Sequence, residues 1–149
     1  MNPLKASDDI IVQEVAIKRP AAKIFNALTD PAELARWWRV EDKFRVTHME
    51  SDFRPGGKWR MRLIGGGKTE SAVRGEFRQI EPPRLLVFTW IREQEDPTET
   101  LVRWELEEKD GVTTVRVTHS GLKTESLRRR NDGWPMILGL LRAHMEKAK

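Results

Sequence analysis

Residues 132–147, DGWPMILGLLRAHMEK, decide the fold. Trp134, Ile137, Leu138, Leu141 and Met145 stand at i, i+3, i+4, i+7 and i+11. On an α-helix that spacing gathers five apolar side chains into one stripe. Leu140, Ala143 and the aliphatic stems of Arg142 and Lys147 cover its flanks. Asp132 is placed to cap the helix, because its carboxylate can accept from a free N–H of the first turn. Pro135 falls inside that turn, where its missing N–H costs little. A stripe of this length needs a receiver, and the rest of the chain supplies one.

Upstream of the helix the apolar period is 2, the signature of half-buried strands. Lys58–Ile64 sends Trp59, Met61 and Leu63 one way and Lys58, Arg60 and Arg62 the other. Val73–Ile80 has Phe77 on its apolar side. Leu85–Ile91 is apolar on both sides, as a central strand would be, with Leu86, Phe88 and Trp90 sharing a face. Leu101–Glu107 aligns Val102, Trp104 and Leu106. The last strand aligns Val115, Val117 and His119. Phe44–Phe53 alternates poorly, which predicts a bulge or bend. Short turn signals join these runs: Pro55-Gly56-Gly57, Gly65-Gly66-Gly67, Pro82-Pro83 and Asp110-Gly111. Turn-length connections make an antiparallel meander.

Ahead of the meander, Ile10–Lys18 is rich in β-branched residues and reads as a first strand. Pro20 opens a short helix over Ala21–Leu28, and Asp30-Pro31 caps and starts a second that runs to Trp37-Trp38. Residues 1–8 read as a loose leader, and Thr124–Arg130 as a helical lead-in. The expected architecture is α+β, about six to seven antiparallel strands with one face covered by the terminal helix, in a single domain over 1–149.

The totals narrow the function classes. The sequence has 27 basic and 23 acidic residues, a net charge of +4, with the signs interleaved. That suits a solvated mixed-charge surface better than a nucleic-acid groove, so no nucleic-acid partner is expected. No apolar run approaches the ~20 residues that span a bilayer. With no cysteine and no signal-peptide pattern, a cytoplasmic protein without membrane partner is expected. Three scattered histidines without ligand spacing predict no metal. GGGKT ends like a phosphate loop, but Arg62 stands where the first glycine is required and the segment joins two strands. No dinucleotide fingerprint occurs either, so no cofactor is expected.

Five blocks resemble a known family: TDPAELARWW, DFRPGGKWRMRL, RGEFRQIEPPRLLVFTW, VTHSGL and GWPMILGLL. Their order and content are similar to the activator-of-Hsp90-ATPase-homologue-like family of the START-like (SRPBCC) superfamily, from about Ile10 to Met145. The resemblance implies a helix-grip fold, a curved antiparallel sheet around the C-terminal helix with a cavity between them. It carries no catalytic residue across, because fold does not fix function.

The inward-facing residues are the site candidates. They are Trp59, Met61, Phe77, Phe88, Trp90, Trp104, His119, Trp134 and Leu138, with Trp37 and Trp38 near one rim. Six tryptophans and no tyrosine is a large indole load for a small core. Such a set suits either dense packing or the wall of a cavity for a small apolar or aromatic molecule. His119 is read as a core histidine, a donor to ligand, or a general base. Three functions follow: a ligand-binding protein, an enzyme of cyclase or hydrolase type using the same cavity, and a chaperone-associated or other interaction module. Homodimerisation through an exposed strand or through Trp37-Trp38 is compatible with each.

Overall fold

The alternating run becomes one eight-stranded antiparallel sheet in the computed structural model. The structure describes residues 9–66, 68–93 and 97–147. The leader expected at 1–8, Gly67 and part of the loop after Glu93 lie outside the described residues. The elements are β1 (Ile10–Ile17), α1 (Ala21–Thr29), α2 (Pro31–Trp37), β2 (Arg39–Val40), β3 (Phe44–Ser51) and β4 (Lys58–Gly65). There follow β5 (Glu70–Glu81), β6 (Leu85–Arg92), β7 (Thr100–Lys109), β8 (Val112–Ser120), α3 (Glu125–Arg130) and α4 (Trp134–Lys147). The strand order is β1-β8-β7-β6-β5-β4-β3-β2. β2 to β8 form the expected meander, and β8 returns beside β1.

Several boundaries differ from the sequence reading. The strand count rises to eight because the two-residue β2 pairs with Phe44 and Arg45. β5 and β7 outlast their apolar runs, since ladder hydrogen bonds continue past the last buried side chain. Phe53 lies beyond β3. Trp38 closes α2 as its C-cap. Pro20 stands at the N-cap of α1, one residue before the helix. Asp132 is not the cap of α4, because the helix begins at Trp134 and the Gly133 carbonyl accepts the Ile137 N–H at 3.0 Å. Asp30 does cap α2, accepting from the Ala32 N–H at 3.1 Å.

Two irregularities bend the sheet. The expected bulge in β3 falls between Val46 and His48, and a second occurs in β5 between Phe77 and Gln79. Bulges increase twist and let a wide sheet curl. Asp110 and Gly111, with φ of 55° and 80°, make the tight β7–β8 turn that positive φ at both centres permits. Gly75 is required by close approach: a Cβ there would lie 1.9 Å from the Thr89 carbonyl oxygen.

The concave face is apolar and holds α4. Trp134, Ile137, Leu138, Leu141 and Met145 are all buried, as the stripe demands. β6 is buried on both faces from Leu85 to Ile91. On the convex side Val87 lies opposite Arg103, and Ile91 opposite Arg74, whose aliphatic stems can shield it. The far end of α4 is tied to the end of β1. The Lys18 N–H donates to Glu146 Oε2 at 3.0 Å, and Arg19 Nε donates to the Met145 carbonyl at 2.7 Å.

Leu141 is 0 % exposed at the centre of this seam, whereas Met136 on the same helix is 45 % exposed. Leu141→Ala is expected to cost about 3 kcal/mol in urea unfolding, and Met136→Ala less than about 0.5 kcal/mol. Equal costs would show that the stripe is not what joins helix to sheet.

Candidate functional site

A cavity of about 500 Å³ opens at the first turn of α4. Its floor is Trp38, Met61, Leu63, Trp90, Trp134 and Ile137. Its mouth is polar, with Glu70 and Ser71 of β5, Arg92 at the end of β6, Arg130 at the end of α3 and Asn131 at that helix's C-cap. The β4–β5 hairpin and the α3–α4 junction supply opposite lips. A second void of about 40 Å³ lies deeper, among Trp38, Trp59, Met61, Phe77, Phe88, Trp90 and Trp104. Trp38, Met61 and Trp90 line both, so they form the partition between them.

The structure brings most of the expected residues to these two spaces. Trp38, Met61, Trp90 and Trp134 line the larger one. Trp59, Phe77, Phe88 and Trp104 reach only the inner one. Trp37, Leu138 and His119 line neither. All six tryptophans form one connected cluster: Trp37–Trp38, Trp38–Trp90, Trp90–Trp134, Trp134–Trp104 and Trp90–Trp59 have ring centroids between 5.3 and 6.2 Å. Most of the indole load is therefore spent on packing indole against indole. The Trp59 Nε1–H is buried without a partner beside Gly75, whose absent side chain leaves room for it.

His119 sits behind the cavity wall and is 0 % exposed. The Trp134 indole N–H donates to its Nδ1 at 3.0 Å. Indole nitrogen only donates, so Nδ1 must be unprotonated. The neutral ring then carries its proton on Nε2, which lies 2.7 Å from Thr100 Oγ1. Thr100 in turn donates to the Trp90 carbonyl at 2.9 Å. Burial, aided by the nearby Arg92 charge, lowers the His119 pKa to about 3. Both ring nitrogens are occupied, which leaves no site for proton transfer to a ligand. The Trp90 indole N–H is also engaged, donating to Asn131 Oδ1 at 3.1 Å. Asn131 Nδ2 donates to the Leu127 carbonyl at 2.8 Å.

The residues matched in comparison with known proteins agree with this architecture. The family described as Activator of Hsp90 ATPase homolog 1-like protein matches residues 18–146. The chain belongs to that family. A comparison with curated proteins gives no match. Among solved structures, a protein of Chromobacterium violaceum is 20 % identical with a TM-score of 0.83, over 93 % of this chain and 98 % of its own. The AHSA1-like protein of Aeromonas hydrophila is 21 % identical with a TM-score of 0.77, over 93 % of each chain. DynU16, a protein of the dynemicin biosynthetic locus, is 26 % identical with a TM-score of 0.76, over 95 % of this chain and 49 % of its own. The first two likenesses establish the helix-grip fold.

Within this member of the activator-homologue family, sequence reasoning missed several cavity residues. Arg92 continues the inward parity of Leu86, Phe88 and Trp90, and a charge at that parity was the available signal. Arg130, legible in the sequence only as the end of a helical lead-in, borders the mouth. Asn131, 7 % exposed, carried no periodic signal. The polar residues Glu50, Asp52, Arg54 and Gln79 do not line the cavity, and Arg54 pairs with Asp52 at 2.9 Å. His48 is exposed, and His144 pairs with Glu33 at 3.2 Å. Among the described residues no group of three or more His, Asp or Glu is placed to hold a metal. No helix is long and apolar enough to cross a membrane among them.

The depressed pKa of His119 has a defined linkage sign. Between about 3 and the ordinary imidazole value of 6.5 the unfolded chain binds a proton that the folded chain does not. This contribution to stability is present above pH 6.5 and is lost as pH falls toward 3. Nitrogen-15 NMR is expected to show a neutral Nε2–H ring down to pH 4. The urea midpoint should fall less steeply with acid in His119→Gln than in the parent. An imidazole that titrates near its ordinary value of 6.5 would contradict the hydrogen-bond assignment.

Proposed function

We propose that this protein binds a small apolar or aromatic molecule between the sheet and the start of α4. The observation that carries the reading is the cavity of about 500 Å³ floored by Trp38, Met61, Leu63, Trp90, Trp134 and Ile137. Small-molecule sites commonly measure ~300–1,000 Å³, with an apolar lining and a few polar groups at fixed places. Indole faces accept flat or aliphatic ligands by stacking and edge contact. Met61 adds an adaptable wall at the partition to the inner void. The helix-grip fold and the resemblance to START-like proteins support a scaffold that holds a ligand in this position.

Binding is preferred to catalysis because of His119. The buried imidazole that sequence parity points inward has both nitrogens engaged and lines neither space. A cytoplasmic setting belongs to the same proposal and is supported by a sequence without cysteine.

The test uses the neutral fluorescent probe N-phenyl-1-naphthylamine. Its emission should rise to saturation at one equivalent, with quenching of tryptophan fluorescence. Leu63→Trp fills the floor and should weaken probe binding roughly tenfold or more, as lost burial of a few methylenes implies. The urea midpoint of the variant should stay close to that of the parent, since Leu63 is only half-buried. No saturable binding, or binding indifferent to Leu63→Trp, would overturn the reading.

A further inference from the structure

The inner void gives the ligand a second place to fill. We infer that the ligand carries an unbranched alkyl tail, which passes Met61 and ends in the inner void of about 40 Å³, while the rest of the molecule occupies the larger cavity. This rests on the proposed ligand-binding role and adds a chemical end to it.

Three residues line both spaces, Trp38, Met61 and Trp90, and two of them are held. The Trp38 and Trp90 rings pack against each other with centroids 6.2 Å apart, so the passage does not run between them. Trp38 also packs on Trp37 and Trp134, at 5.3 and 6.2 Å. Trp90 is fixed by its N–H to Asn131 and by contacts with Trp59, Phe88 and Trp134. Turning either indole would break its stack. Met61 is the movable member, unbranched and with three rotatable bonds. Its cross-strand partner Met49 lines the inner void, so two adaptable side chains flank the passage. An alkyl chain is about as slender as the methionine side chain it displaces, whereas a ring or a branched end is wider.

The lining decides the polarity of the tail. Among the described residues no charged side chain lines the inner void. The Thr29 hydroxyl is spent on the Phe25 carbonyl at 2.9 Å. The unpartnered Trp59 N–H lies beside Gly75, which lines neither space. A polar tail would be buried there without partners, at a cost that an alkyl tail avoids. The volume admits about three water-sized groups, which corresponds to roughly two or three methylenes.

The experiment uses 1-alkanols from hexanol to tetradecanol to displace N-phenyl-1-naphthylamine. Affinity is expected to rise about fourfold per methylene and then level off once both spaces are full. Leu28 lines the inner void but not the larger cavity, and Leu28→Phe fills the void. In that variant the plateau should arrive about two or three carbons earlier, with the longest alcohols weakened roughly tenfold or more and hexanol unchanged. Phe77→Leu empties space in the same void and should move the plateau to longer chains. Met61→Ile puts a stiff β-branched side chain in the passage and should shorten the plateau as Leu28→Phe does. Should Leu28→Phe not fold, Phe77→Leu and Met61→Ile decide.

A plateau at the same chain length in the parent and all folded variants overturns the inference and leaves the cavity reading standing. Failure of both the alcohols and the fluorescent probe to bind the parent removes the ligand-binding role and the inference together.

Discussion

A buried relay of hydrogen bonds runs from the terminal helix across three strands. It starts at the Trp134 indole on α4, passes through His119 on β8 and Thr100 on β7, and ends at the Trp90 carbonyl on β6. The Trp90 indole then binds Asn131, which returns the connection to Leu127 of α3. Each member is at least nine-tenths buried. In so little water an unmet donor would cost more than the bond gains, so the relay fixes relative positions as much as it stabilises. It sets the start of α4 above β6 to β8 at one height and one rotation.

That constraint explains why a space lies where it does. The far end of α4 is tied to β1 through Glu146 and Met145, and its middle is sealed by Leu138 and Leu141. Near the start, Trp134 is turned toward His119 and Trp104 rather than toward β4. In a sheet bent by bulges in β3 and β5, β4 and β5 face the start of α4 across the cavity. The gap between them has Trp90 and Trp134 as its rigid wall. Those two indoles are both relay members and cavity lining, so the wall is held in place before any ligand arrives. Preorganisation of this kind lowers the ordering cost of binding.

The same arrangement assigns different tasks to chemically equal residues. Trp37 spends its N–H on the Ala27 carbonyl at 2.9 Å and fastens α2 to α1. Trp104 packs edge-on against Trp134 and fills the inner layer. Trp38, the next residue on the chain's path into β2, faces the cavity instead. His119 likewise serves as a polar joint with a fixed tautomer, and its depressed pKa follows from burial without an acidic partner.

Periodicity alone determined the architecture of this protein. The stripe of Trp134, Ile137, Leu138, Leu141 and Met145 demanded a receiver, and the period-2 runs around Trp59, Trp90 and Trp104 supplied it. The reason is that side-chain direction follows directly from position on a helix or strand. The family resemblance rested on the same segments. The functional surface was less legible. Parity says which way Trp90 and Trp104 point, but not which of them meets a void, because a void is the difference between many packed volumes. Arg130 ends the six-residue α3 and Asn131 is its C-cap, a stretch too short for a period to be read, and the docking of α3 against β6 brings them to the mouth. Tertiary structure also decided the role of His119, since whether an inward imidazole is spent or available depends on partners 15 and 19 residues away in the chain. Local sequence dictates direction; contacts between distant segments dictate what that direction meets.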